Sequence, residues 1–362
     1  MEKPGKNSSR ILVFRIGQLG DTLVALPAMW AVKTQFPEAH LALLCDRHPG
    51  KSFVLASDLL RGTGIFSGFL SYPVTGSGGI TKLFSMVSLL AAIRKGRFDT
   101  LVYLAPSGRT SNQIERDRRF FSLAGIKTFV GMDGFAALEI KKPGVPLAET
   151  PRESELLLKR LSFFAPTYNY RKDLALGAGE EKEVADWLAR QNSDGGRRWV
   201  AFAPGSKMPA KRWPLERFIE VGRGLIEPYD IWPVVFGGAE DAGDANRLIE
   251  AWGRGYNAAG ELSVRASGFA LKRCALYLGN DTGTMHLAAA EDTKCVAVFS
   301  SRDRPGRWNP AGTGHRIFRS PIECEGCGLM ECVERKNECL DRISSAQVLA
   351  GCSSILAAVL VK

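Results

Sequence analysis

The chain has 362 residues and a formal net charge of +10, from 48 Lys and Arg against 38 Asp and Glu, with 45% apolar residues. That length is large for one core and comfortable for two domains, and the composition is that of a globular protein rather than a disordered one. No apolar run approaches the roughly 20 residues that span a bilayer, and Met1-Glu2-Lys3-Pro4-Gly5-Lys6 lacks a signal-peptide core, so the expected location is the cytoplasm.

In chain order, Arg10–Gly17, His40–Cys45 and Thr100–Leu104 read as strands of a first half, with helices over Asp21–Gln35, Ile80–Arg94 and Ser111–Ala124. The Gly-rich run Thr75–Gly79 reads as a mobile loop. A helix over Glu153–Phe164 precedes Ala165-Pro-Thr-Tyr-Asn169, where the chain is expected to cross to a second domain. Beyond it, Trp199–Ala203, Ile231–Phe236, Ala275–Gly279 and Cys295–Phe299 read as strands with helices between them. This alternation predicts an α/β chain of two Rossmann-like domains with parallel sheets covered on both faces. The expected divisions are 1–175, 176–343 and a closing helix over 344–362.

Two turns carry the chemistry. Leu278-Gly-Asn-Asp-Thr-Gly-Thr-Met-His286 joins an apolar strand to a helix through a small polar turn. It places Asp281, Thr282 and Gly283 where backbone N–H groups lack partners and the helix dipole favours an anion, which suits a phosphate as well as an ordinary cap. Ile11-Leu-Val-Phe-Arg-Ile-Gly-Gln-Leu-Gly-Asp21 is a second strand–turn–helix junction, where Gly17 and Gly20 turn the backbone sharply and deliver a carboxylate, Asp21. Its spacing is not G-x-G-x-x-G, and no G-x-x-x-x-G-K-[ST] loop occurs, which disfavours a nicotinamide enzyme or a P-loop NTPase.

Arg109, Arg116, Arg118 and Arg119 are candidates to meet acceptor phosphates or carboxylates, or else are solvated surface. The positive field suits anionic lipid head groups or phosphates. Nucleic acid is not an expected partner, because the basic residues are scattered and no nucleic-acid motif occurs. Cys324, Cys327, Cys332 and Cys339 cluster at a spacing that could hold a structural zinc, with reduced thiols as the alternative.

Five stretches, in order and over most of the chain, resemble glycosyltransferase family 9, the heptosyltransferases of lipopolysaccharide assembly. They are Arg15-Ile-Gly-Gln-Leu-Gly-Asp-Thr-Leu23 with Leu26-Pro-Ala28, Ala203-Pro-Gly-Ser-Lys207, Lys211-Arg-Trp-Pro214, Phe236-Gly-Gly-Ala-Glu240, and Asn280-Asp-Thr-Gly-Thr-Met-His286. The resemblance implies a glycosyltransferase B fold, two Rossmann-like domains with parallel sheets facing a central cleft, acceptor bound by the N-terminal half and nucleotide sugar by the C-terminal half. It implies an inverting transfer of heptose from ADP-heptose to an anionic lipopolysaccharide acceptor at the inner membrane surface, with Asp21 as base, Gly20 beside the acceptor and no cofactor needed for catalysis. It assigns the donor to Ser206, Lys211, Glu240, Asp281, Thr282, Gly283, Met285 and His286, and sends the closing helix back toward the first domain. A family transferase using another nucleotide sugar, or a noncatalytic nucleotide- or lipid-binding scaffold, would share these motifs.

Overall fold

The computed structural model describes residues 9–47, 54–73, 79–135, 141–142, 144–161, 171–192 and 196–360; the glycine-rich stretch 75–78 and the crossing segment 165–169 lie outside the described residues. The chain divides into two compact units, Met1–Glu139 with Glu153–Ala175, and Ile140–Arg152 with Leu176–Lys362.

The first unit runs β1 (Arg10–Phe14), α1 (Leu19–Val24), α2 (Leu26–Gln35), β2 (His40–Arg47), α3 (Ala56–Leu60), β3 (Gly68–Pro73), α4 (Gly79–Gly96), β4 (Thr100–Tyr103), α5 (Ser111–Leu123), β5 (Thr128–Val130) and α6 (Glu153–Arg160). Its strands lie in the order β3-β2-β1-β4-β5 with every pairing parallel. Ile11, Leu12 and Val13 are fully buried because a central parallel strand is covered on both faces. The single helix expected over 21–35 is two, broken at Ala25, with Pro27 in the first turn of the second. A capping box between Thr110 and Gln113 starts α5.

The second unit continues with α7 (Ala178–Arg190), β6 (Arg198–Ala203), α8 (Leu215–Tyr229), β7 (Ile231–Val235), α9 (Ala242–Trp252), β8 (Tyr256–Asn257), α10 (Val264–Lys272), β9 (Leu276–Asn280), α11 (Gly283–Ala290), β10 (Cys295–Phe299), β11 (Arg316–Arg319), α12 (Glu338–Asp341) and α13 (Ser345–Leu360). Its sheet, again parallel throughout, has the order β11-β10-β9-β6-β7-β8. In each sheet the first strand has neighbours reached by chain running in opposite directions, so the switch points fall between β1 and β4 and between β6 and β9.

Two details depart from the expected divisions. Residues 141–152 join the second unit: buried Glu325 accepts from the Leu147 N–H at 2.6 Å and the Lys141 ammonium at 3.1 Å, and the Thr150 N–H donates to Pro305 O at 2.9 Å. The closing helix, sent toward the first domain by the resemblance, packs on α8, β9 and β10 of the second. Its buried face, Val348, Cys352, Ile355 and Leu356, fills the same core cluster as Phe218, Val221 and Val298, and that apolar burial fixes its place. We therefore expect Leu356→Ala, which empties a fully buried site, to lower the unfolding free energy of the second unit by about 2–5 kcal/mol, measured by denaturant titration.

Candidate functional site

In the second unit the loops that follow β6, β7, β9 and β10 all emerge at the carboxyl edge around the switch point. Asn280, the last residue of β9, ties two of them together. Its fully buried amide donates to Pro204 O at 2.6 Å and its carbonyl accepts the Trp213 N–H at 3.2 Å. Asp241 closes the turn after β7, accepting the Gly238 N–H at 2.9 Å, and stands against the β6 loop. A Cβ at Gly205 would lie 2.2 Å from that carboxylate, so the β6 loop approaches it this closely only as glycine.

Lys211, at the end of a 3-10 turn over Pro209–Lys211, reaches into this frame. Its Nζ lies 2.6 Å from Asp281 Oδ2 and 3.3 Å from Asp303 Oδ2, and Arg302 donates to the same Asp303 oxygen at 2.6 Å. Burial works to lower the Lys211 pKa, but the Asp281 and Asp303 carboxylates outweigh it and hold the ammonium above the ordinary lysine range. Next to it α11 begins. Thr282 occupies its N-cap position with an extended backbone and makes no side-chain cap, its hydroxyl donating instead to Asn280 O at 3.4 Å. The first-turn N–H groups from Gly283 onward therefore keep their capacity to bind an anion.

His286 is buried one turn into α11. Burial, followed by the Lys211 charge and His315, pushes its pKa down to about 3, so it enters any reaction as a neutral imidazole. Ser206 Oγ accepts the Met208 N–H at 3.1 Å and shapes the β6 loop, while Glu240 sits exposed in the 3-10 turn after β7. Met285 has no exposed surface and belongs to the core instead of the open edge. Sequence reasoning missed Asp303, Arg302 and Asp241. The first two stand directly after β10, and polar residues at the carboxyl end of a buried parallel strand were the available signal.

In the first unit the same edge carries Asp21, in the first turn of α1 with Gly20. Its Oδ2 accepts the Gln18 N–H at 2.9 Å, and Arg15 lies 3.5 Å from Oδ1. The Arg15 side chain is fully buried and donates to Leu104 O, the residue after β4, at 2.8 Å. The Asp21 side chain remains 27% exposed, so it faces the edge with its inner side held. Gly17 has φ +129°, and a Cβ there would lie 2.5 Å from Asp21, so only glycine lets the chain turn under the carboxylate. Its N–H donates to Asp46 at the end of β2, at 3.0 Å.

The four candidate arginines are engaged within the unit. Arg109 and Arg116 share Asp117 at 2.9 and 2.7 Å, Arg118 lies 3.5 Å from Asp133, and Arg119 pairs with Glu115 one turn back at 2.9 Å. The zinc expectation for Cys324, Cys327, Cys332 and Cys339 is not supported: among the described residues no group of three or more His, Cys, Asp or Glu is arranged to hold a metal. All four are free thiols, with Cys327 exposed and the Cys339 sulfur accepting the Ser301 N–H at 3.4 Å.

Comparison with known proteins gives these elements a context. Residues 119–338, more than half of the chain, match the family described as glycosyltransferase family 9 (heptosyltransferase). Lipopolysaccharide heptosyltransferase 2 of Salmonella typhimurium is 36% identical over 112 residues, which cover 28% of this chain and 31% of that protein, so the match spans about a third of the curated relative. Among solved structures, a family 9 glycosyl transferase from Veillonella parvula superimposes with a TM-score of 0.76 at 18% identity, over 99% of both chains. The E. coli heptosyltransferase WaaC with ADP-2-deoxy-2-fluoro heptose superimposes with a TM-score of 0.66 at 14% identity, over 95% of this chain and 99% of that one. The fold is thus the glycosyltransferase B type, built from two parallel-sheet α/β units.

His286 supplies a pH dependence. Its folded pKa lies far below the unfolded value near 6.5, so the unfolded chain takes up a proton that the folded chain refuses as pH falls below about 6.5. Stability from the neutral imidazole is complete above that pH and is lost toward pH 3, by about 1.4 kcal/mol per pH unit for one proton. Thermal unfolding of His286→Gln across pH 7 to 4 is expected to flatten this loss relative to the parent chain.

Proposed function

The chain belongs to glycosyltransferase family 9, the heptosyltransferases, and from that premise we propose that it transfers heptose from ADP-L-glycero-D-manno-heptose to the inner core of lipopolysaccharide at the cytoplasmic face of the inner membrane. The observation that carries the donor half is Lys211, a buried ammonium kept charged by two carboxylates beside the uncapped start of α11. A diphosphate bound there receives first-turn N–H groups, the Thr282 hydroxyl and the Lys211 charge. The E. coli protein of the same fold that was solved with an ADP-heptose analogue supports this choice of nucleotide sugar.

The reaction is a displacement at the anomeric carbon. The acceptor hydroxyl oxygen forms the new glycosidic bond on the face opposite the leaving group, the bond to the β-phosphate oxygen breaks with its electron pair, and the configuration inverts. Asp21 takes the hydroxyl proton as the new bond forms, while Lys211 and the α11 amides stabilise the charge growing on the departing diphosphate. No metal enters these steps. Ser206, Glu240 and His286 line the donor loops and complete its recognition, and the acceptor lies on the first unit.

Two variants separate the roles. Asp21→Ala is expected to lower kcat by about 10²- to 10⁴-fold while leaving ADP affinity by calorimetry unchanged; undiminished turnover would remove Asp21 as base. Lys211→Ala is expected to weaken ADP binding at least about tenfold, the scale of one charge-assisted hydrogen bond. A parent chain that prefers UDP or GDP over ADP in the same titration would keep the fold and overturn the donor.

A further inference from the structure

The outer face of α4 takes no part in the chemistry above. Leu83, Phe84 and Val87, at i, i+1 and i+4, are 65%, 71% and 55% exposed, and they make up three of the five large apolar side chains exposed in the first unit among the described residues. The inner face of the same helix is already satisfied, with Leu89 and Ile93 buried against Phe98 and Phe121. Packing within the unit therefore gives no reason for the outer three. A groove of about 430 Å³ runs beneath Phe84, between Leu89 and Ala92 of α4 and Leu70 and Ser71 of β3.

We propose that this turn of α4 is a membrane-docking surface that seats the first unit on an anionic bilayer, deepening and resting on the reading of a lipid-linked acceptor. Three features select a bilayer. The charged side chains described on α4, Arg94 and Lys95, are exposed and cationic, with exposed Arg97 following and no acidic residue in the helix, which complements anionic head groups. Among the described residues no helix is long and apolar enough to cross a membrane, so α4 lies on the surface and does not span. One helical turn also exposes far less than the roughly 1,200 Å² that a specific protein interface buries, which argues against a second copy of the chain.

Placement within the unit gives the surface its use. A crossover helix between parallel strands runs antiparallel to them, so the start of α4 lies at the carboxyl edge of the sheet. Asp21 leaves β1 at that same edge. A bilayer touching Leu83, Phe84 and Val87 would hold its lipid-linked sugars near the edge that carries the base.

The test is flotation of the full chain with vesicles of phosphatidylglycerol and phosphatidylethanolamine, and separately of phosphatidylcholine, for the parent and for Leu83→Gln/Phe84→Gln/Val87→Gln. The parent is expected to float with the anionic vesicles, less so in high salt, and the triple variant to partition at least about tenfold more weakly, the scale of losing several buried apolar side chains. ADP affinity and the thermal midpoint should be the same in both, since these side chains are exposed and lie outside the donor loops. No vesicle binding by the parent, or equal binding by the variant, would overturn the proposal. So would a concentration-dependent oligomer of the parent that the variant abolishes, since that assigns the face to a second copy. Failure of ADP to bind would count against the transferase reading alone, because flotation does not depend on it.

Discussion

Every strand pairing in both sheets is parallel. A parallel strand can be followed only by a crossover, so all the loops leaving the strands collect at one edge of each sheet. That directional constraint brings together residues far apart in sequence. Lys211 follows β6, Asp281 follows β9 and Asp303 follows β10, yet the three side chains meet within 3.3 Å. Asn280 and Asp241 then fix the spacing between loops that the sheet only brings near. The first unit repeats the logic with fewer parts, since Arg15 at the end of β1 is held on the carbonyl that follows β4.

The same edge explains why an aspartate can stand where a diphosphate is expected. A buried carboxylate beside phosphates is repulsive on its own, and a buried ammonium is costly on its own. Paired at 2.6 Å they are tolerated, and Arg302 balances Asp303 so that the four charges sum to zero before any ligand enters. In the proposed reading an entering diphosphate then meets a cation that is already desolvated and aimed, with helix amides that need no reorganisation. Asp281 holds the Lys211 ammonium at 2.6 Å, and in the proposed reading it acts on the ligand through that lysine.

Among the described residues, the strands legible in the sequence are the seven central ones, and the four that escaped it are β3, β5, β8 and β11, which are the sheet edges. A central parallel strand is buried on both faces and shows as a continuous apolar run such as Ile11–Phe14 or Cys295–Phe299. Edge strands need no such run, and Gly68–Pro73 and Arg316–Arg319 carry glycine, proline or charge at their ends. The glycine turns and the polar loops after central strands were likewise legible, because backbone conformation and unpaired N–H groups demand particular residue types. Partnerships across loops were not. Nothing local to Asp303 names Lys211, and the spacing of four cysteines does not say that the Cys339 sulfur would be taken by Ser301.

In the role of base that we propose for it, Asp21 shows what such a frame contributes to chemistry. A carboxylate is a weak base toward an alcohol, and proton transfer becomes favourable only as the bond to the anomeric carbon forms and the oxygen acquires positive charge. For such a base, position matters more than strength. The Asp21 carboxylate is held from inside by the buried Arg15 guanidinium, from its own turn by the Gln18 N–H, and from below by a backbone that fits only because Gly17 has no side chain. These restraints leave one side of the carboxylate open, so the rotamer entropy that would otherwise be lost at the transition state is already spent in folding. In the proposed mechanism the sharp Gly-Gln-Leu-Gly turn is therefore as much a part of the base as the carboxylate it carries.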